Sequence, residues 1–247
     1  MKDLSRSLPI TSSSSWHMPH LPHIRIPRFG LQTPGARERA AIEAYIHARF
    51  AEVHQADVCH FLTNIISLRC GNEYSAAVGL EAASKGRLFA EQYLDAPIEQ
   101  LVSTRLGQPV ARDQIVEIGN LVSTCKGSSL LLFIVIGEVM ERLGYHYVMF
   151  TGTREVKALL ARLRYSPIVL GDADPNVLPD GGASWGSYYH NRPQVMFGDN
   201  RPAMQAARKN PMYRATVAAI SRQIEKICSG FCTTDSASIN SMELHHE

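Results

Sequence analysis

Glu117 and Asn120 are the polar residues inside an otherwise apolar run, Ile115-Val116-Glu117-Ile118-Gly119-Asn120-Leu121-Val122. A carboxylate in such a run must be hydrogen-bonded, paired or used for chemistry, because burial penalises its charge and raises its pKa. A carboxyl raised in this way suits a general base for an amine nucleophile. A structural Glu, capped by backbone or by an arginine such as Arg112, accounts for it equally well. In regular strand geometry Glu117 and Gly119 share one face and Ile118 and Asn120 the other, so Glu117 and Asn120 face the same way only if a bulge intervenes.

Immediately downstream, Thr124-Cys125-Lys126-Gly127-Ser128-Ser129 leads into the apolar run Leu130 to Ile136. Free backbone N–H groups and the positive end of the macrodipole at a helix start favour an anion such as a phosphate. The bland alternative is a single glycine, Gly127, standing before an ordinary helix with Ser128 as its N-cap. Two further groups are candidates. Arg87, Glu91, Tyr93, Asp95 and Glu99 crowd the connection before this strand, where Tyr93 has a hydroxyl to lend as an acid; a solvated, capped loop is the competing account. Trp185, Tyr188 and Tyr189 beside Gly186 are suited to wall a substrate pocket, or else to pack a late loop, the account favoured for Tyr189. No Ser/His/Asp triad, P-loop or dinucleotide fingerprint is present.

The elements that must position these groups follow from periodicity. Residues 37–54 carry apolar residues at helical spacing. Residues 57–68 and 74–83 are expected as paired antiparallel strands around the turn Cys70-Gly71-Asn72-Glu73. Pro97 and Glu99 open a short helix to about 105, and residues 114–123 form the central strand. A buried helix at 128–143 closes on Gly144. A strand at 147–151, a helix at 154–163, and strands at 167–170 and 195–197 follow, with a terminal helix at 201–227 broken at Pro211. This order predicts an α+β fold, a mixed β-sheet flanked by helices with one parallel step at its middle. Residues 1–35, rich in Ser, Pro and His, are expected as a flexible arm, residues 36–200 as the main domain, 201–228 as a C-terminal helix and 229–247 as a disordered tail. His17, His20 and His23 recur at every third residue, but in a Pro-interrupted segment this makes no helical face for a metal.

Composition narrows the function. Lys and Arg number 25 against 23 Asp and Glu, a formal net charge of +2, which gives no bulk electrostatic case for nucleic acid or an acidic membrane. The 5 cysteines are an odd number without dense spacing, which suits reduced thiols in a cytoplasmic protein. Cys228 and Cys232 lack a matching His/Cys pair, so no metal is expected. The N-terminus has no continuous apolar h-region, and the run from Leu130 to Ile136 is far short of the ~20 residues that span a bilayer.

Blocks taken in order resemble a known family: Leu88-Phe89-Ala90-Glu91-Gln92-Tyr93-Leu94-Asp95, Ile115 to Leu121, Phe150-Thr151-Gly152-Thr153, Asp172-Ala173-Asp174-Pro175 and Trp185-Gly186-Ser187-Tyr188-Tyr189. Together with Arg39 and its helix, they look like the thermostable hemolysins of bacteria over residues 37–200. That family is in turn similar to the GNAT acyltransferases and, more distantly, to acyl-homoserine-lactone synthases. The resemblance implies a GNAT-like fold and transfer of an acyl group from a thioester, acyl-CoA or an acylated carrier protein, to a small amine or amino acid. It implies Glu117, Tyr93 and Glu91 as catalytic, and Asn120, Leu121, Lys126, Gly127, Ser128 and Ser129 around the donor. Arg87, Arg112, Trp185 and Tyr188 fall on the acceptor side. The GNAT donor loop usually carries an Arg or Gln and two small residues; Cys125 to Ser129 has one glycine and no arginine, which leaves room for a carrier-protein donor. The tyrosine acid usual after the fifth GNAT strand has no match in 154–163. The alternatives are a signal synthase using S-adenosylmethionine and a membrane-active lytic protein without catalysis.

Overall fold

The structure, a computed structural model, describes residues 27–243 apart from 125, 163 and 164. Its elements are β1 (Arg28–Gln32), α1 (Arg39–His54), β2 (Asn64–Cys70), β3 (Glu73–Ala82), α2 (Ile98–Leu106), β4 (Ile115–Ser123) and α3 (Lys126–Arg142). They continue with β5 (Tyr147–Gly152), α4 (Arg154–Arg162), β6 (Ile168–Asp172), β7 (Gln194–Asp199), α5 (Asn200–Arg208) and α6 (Pro211–Glu243). The strands form one sheet in the order β1-β2-β3-β4-β5-β7-β6. Every pairing is antiparallel except β4 with β5. The α+β class with a mixed sheet and a parallel step at the centre is therefore the one the periodicity predicted.

Alternation along the strands separates two faces. Ile66, Leu68, Val78, Leu80 and Val116 pack on Leu132, Val135 and Val139 of α3 and on Ile220, Ile224 and Ile227 of α6. On the other face Ile65, Ala77 and Val122 meet Ile42 and Ile46 of α1, while Ile115, Met149 and Phe197 meet Leu88, Ala90 and Ile98. Val122 and Val116 are an even number apart, yet they lie on opposite faces. The register between β3 and β4 slips between Ala77 and Gly79, and Asn120 takes a left-handed φ of 50°. One extra residue in β4 thus reverses the facing of everything beyond it.

Three boundaries differ from expectation. Residues 28–32, expected within the arm, form an edge strand on β2, with Leu31 lying so close to α6 that a Cβ on Gly230 would stand 2.8 Å from Leu31 Cδ2. Gln223 of α6 accepts the Phe29 N–H at 2.8 Å and donates to the Pro27 carbonyl at 3.2 Å. The rest of the arm, with its three histidines, lies outside the described residues. The strand expected from 57 begins only at Asn64, because the backbone of 57–63 finds side-chain partners instead of a neighbouring strand. Arg39 donates to the carbonyls of Leu62 and Thr63, Glu81 accepts the Thr63 N–H, and Asn120 holds Leu62 and His60. The terminal helix breaks before Pro211 as expected, but α6 runs on to Glu243 instead of giving way to a tail at 229, and it belongs to the main core.

Candidate active site

The ladder between β4 and β5 ends at Ile118 and Phe150, although β4 continues to Ser123 and β5 to Gly152. Two parallel strands thus part at their carboxyl ends, the place where sheets of this kind leave a crevice. Glu117 pairs with Met149 one step before the parting, and α3 begins just beyond it.

Glu117 is 3% exposed. Its Oε1 accepts the Ala90 N–H at 3.1 Å, and its Oε2 is buried with no hydrogen-bond partner. Burial pushes the carboxyl up to about 8; N–H donation from Ala90 and Phe89 pulls the other way, and the charges of Glu81 and Glu91 add to the rise. Such a group is mostly protonated at pH 7 and poised to exchange a proton near it.

Asn120 faces the same way as Glu117 because of the bulge, which meets the condition set by strand alternation. Its Oδ1 accepts the Leu62 N–H at 2.9 Å and its Nδ2 donates to the His60 carbonyl at 3.0 Å. These bonds make its side chain a support for the 60–62 loop. The fit needs a bare backbone opposite: a Cβ on Gly79 would stand 2.9 Å from both Asn120 Oδ1 and Leu62 Cβ.

Glu91 and Arg112 depart from the roles expected of them. Glu91, 4% exposed, accepts the N–H groups of Leu88 (2.6 Å) and Ile98 (2.8 Å) and both terminal nitrogens of Arg112. Burial alone would raise its pKa, but Arg112 and the two backbone donors outweigh it and hold the carboxyl below the ordinary value. With no lone pair left for a substrate, Glu91 is not a catalytic group. Arg112 also donates to Glu99 and to the carbonyls of Ala83 and Gly86, which uses every N–H of its fork and leaves none for an acceptor. The arginine suggested as a cap for Glu117 caps Glu91 instead. Arg87 is exposed and donates to the Glu91 carbonyl at 3.3 Å.

Tyr93 belongs to an aromatic wall. Its hydroxyl lies 2.5 Å from that of Tyr189, and burial, then this bond and the neighbouring Tyr189 and Tyr188, with Glu117 adding least, push its pKa well above the usual phenol value. Trp185 touches Phe50, Phe89, Tyr188 and Tyr189, and Phe89 stacks on His60 at 4.6 Å. Tyr188, also pushed up by burial, donates to the Thr151 carbonyl just past the strand parting. The loop carrying Trp185 is docked on the end of α1: Ser187 N–H donates to the His54 carbonyl at 2.8 Å, and Asp57 N–H donates to Ser184 at 2.6 Å. Gly186, at φ 54° and ψ −125°, allows this, since a Cβ there would run into the His54 carbonyl and stand 2.7 Å from that of Gln55.

At the start of α3 the space around Gly127 is open, whereas Ser128 is buried and spends its hydroxyl on Ser75 at 3.1 Å. Leu121 is exposed at the bulge, and Ser129 is half-buried. The side chain of Lys126 lies outside the described residues. Among the described residues no group of three His, Cys, Asp or Glu is placed to hold a metal ion, and no helix is long and apolar enough to cross a membrane.

Sequence reasoning missed Glu81. It pairs in register with Glu117 on the neighbouring strand, Oε2 accepting the Thr63 N–H at 2.8 Å. The signal was present, since Val78-Gly79-Leu80-Glu81-Ala82 is a second apolar strand with one carboxylate.

Among solved structures, the chain is similar to the CoA-dependent acyl-homoserine lactone synthase BjaI (12% identity, TM-score 0.49, covering 81% of this chain and 90% of that one). It is also similar to FeeM, an N-acyl amino acid synthase from uncultured soil microbes (12% identity, TM-score 0.49, 73% and 95% covered). A third, the CoA-dependent acyl-homoserine lactone synthase MesI, has 14% identity and a TM-score of 0.45, with 78% and 95% covered. A search of curated proteins gives no match. The thermostable hemolysin family model matches residues 32–204, a span that holds β4, the start of α3 and the aromatic wall, and the chain belongs to that family.

Proposed function

We propose that this protein is an acyltransferase that moves an acyl group from a thioester, acyl-CoA or an acylated carrier protein, to an amine. The observation that carries the proposal is the buried, unpartnered Oε2 of Glu117 next to the parting of β4 and β5. The pantetheine arm of the donor enters between the two strands. Backbone N–H groups released from the ladder at the Asn120 bulge face the thioester oxygen, where charge develops. The free N–H groups at the start of α3, around Gly127, receive a donor phosphate.

The amine nitrogen attacks the thioester carbon; the C–N bond forms and the C–S bond breaks. Glu117 takes the proton that the nitrogen sheds. Tyr93, whose hydroxyl stays protonated throughout the working range, lends a hydrogen bond to the departing thiolate, and the proton gained by Glu117 is passed on to that thiolate through solvent. The lysis in the family's name then belongs to an amphiphilic product of the enzyme, an acylated amine.

Product analysis with acyl-CoA and an acylated carrier protein tests this, using wild type, Glu117→Gln and Gly127→Asp. Transfer by the wild type, reduced about 100-fold or more in Glu117→Gln, with a raised donor KM in Gly127→Asp, is the expected result. Equal turnover by wild type and Glu117→Gln overturns the assignment of the base.

A further inference from the structure

The acceptor side of the site carries two carboxyl groups that are not ion-paired among the described residues. Glu81 and Glu117 stand opposite each other on adjacent strands and face the same way, close enough for each to act on the other electrostatically. Among the described residues neither makes an ion pair: Glu81 accepts one backbone N–H, and Glu117 Oε2 accepts nothing. Arg112 is engaged with Glu91 and Glu99, Arg39 with Glu43 and three carbonyls, and Arg87 donates to the Glu91 carbonyl rather than to either carboxylate. His60, within electrostatic reach of Glu81, is kept on the neutral side by burial. Its ring lies on Phe89, which meets Tyr93 and Trp185. Carboxylates bordered by aromatic faces are a setting for a positive charge. A free carboxylate placed there would meet the charge of Glu81 and the buried carboxyl of Glu117.

Building on the acyltransferase reading, we infer that the acceptor is a dicationic amine without a carboxylate, a short diamine in kind. One nitrogen is delivered to Glu117 and the other is held at Glu81 against the aromatic wall. An amino acid is disfavoured, since its carboxylate would be brought against Glu81.

The test measures acyl transfer by the full chain to 1,4-diaminobutane, n-butylamine and ornithine, together with calorimetric binding of each without donor. The expected result is a kcat/KM for the diamine about tenfold or more above that for butylamine and for ornithine, the size of one charge-assisted contact. Glu81→Gln retains an acceptor for the Thr63 N–H, and in it the KM for the diamine rises by about tenfold more than that for butylamine. Transfer that favours ornithine, or treats diamine and butylamine alike, overturns this inference and leaves the acyltransferase standing. Selective binding of the diamine without transfer to any acceptor upholds the acceptor surface and overturns the acyltransferase. Neither binding nor transfer overturns both.

Discussion

Replacing Glu117 with glutamine separates its cost to the fold from its use in chemistry. The carboxyl has an ordinary value of 4.5 and sits at about 8 in the folded protein, so the native state holds its proton more tightly than the unfolded chain does. The stability this provides is complete below the unfolded value and is lost as pH rises through the folded one. At roughly 1.4 kcal/mol per tenfold in proton affinity, the full loss is about 4 to 5 kcal/mol, of which about 2 to 3 falls between pH 6 and pH 9. Glutamine can accept the Ala90 N–H in the same place and does not titrate. Scanning calorimetry of wild type and Glu117→Gln at pH 6, 7, 8 and 9 should therefore show the variant gaining on wild type by about 5–10 °C across the range, at 2–4 °C per kcal/mol for a chain of this size. Over the same interval the wild-type acylation rate should climb with a midpoint near 8. Melting curves that move in parallel with pH would refute the reasoning, because the carboxyl would then titrate alike in both states.

Other substitutions probe the frame. Gly186→Ala drives a Cβ into the carbonyls at the end of α1 from a left-handed φ, and should cost about 2 to 4 kcal/mol while shifting Trp185 fluorescence as its loop lifts away. Asn120→Ala orphans the buried Leu62 N–H and strains a non-glycine residue in the left-handed region; urea denaturation should show a loss of about 2 to 3 kcal/mol. Arg112→Lys cannot serve Glu91, Glu99 and two carbonyls with one ammonium, and should lose about 3 kcal/mol or more near neutral pH. Because Glu91 is held below its ordinary value, its stabilisation is present above the unfolded carboxylate range and disappears on acidification, so the deficit of Arg112→Lys should shrink as pH falls.

The central strand, the parallel step and the helix behind it were legible because each follows from local periodicity and punctuation. The bulge was legible only as a condition: strand alternation says that Glu117 and Asn120 part company unless one extra residue intervenes, and nothing local says that it does. Long-range side-chain partnerships were the main thing out of reach. Glu91 and Arg112 are 21 residues apart and find each other across the fold, which turns both from candidate site residues into scaffold. The 57–63 segment has strand-like composition, but its hydrogen bonds go to Arg39, Glu81 and Asn120. Glu81 carries the same local signal as Glu117, one carboxylate in an apolar strand, but stands in a hairpin rather than beside a helix start.

The contact between Gln223 and β1 bears on behaviour in solution. A sheet's outermost strand exposes a row of unpaired amides that can template another chain, the usual start of edge-to-edge aggregation. The amide of Gln223 accepts the Phe29 N–H and donates to the Pro27 carbonyl, so one side chain imitates the peptide group of an absent neighbouring strand. α6 therefore blunts the start of the edge strand with a single side chain, a form of colloidal protection that costs no additional strand.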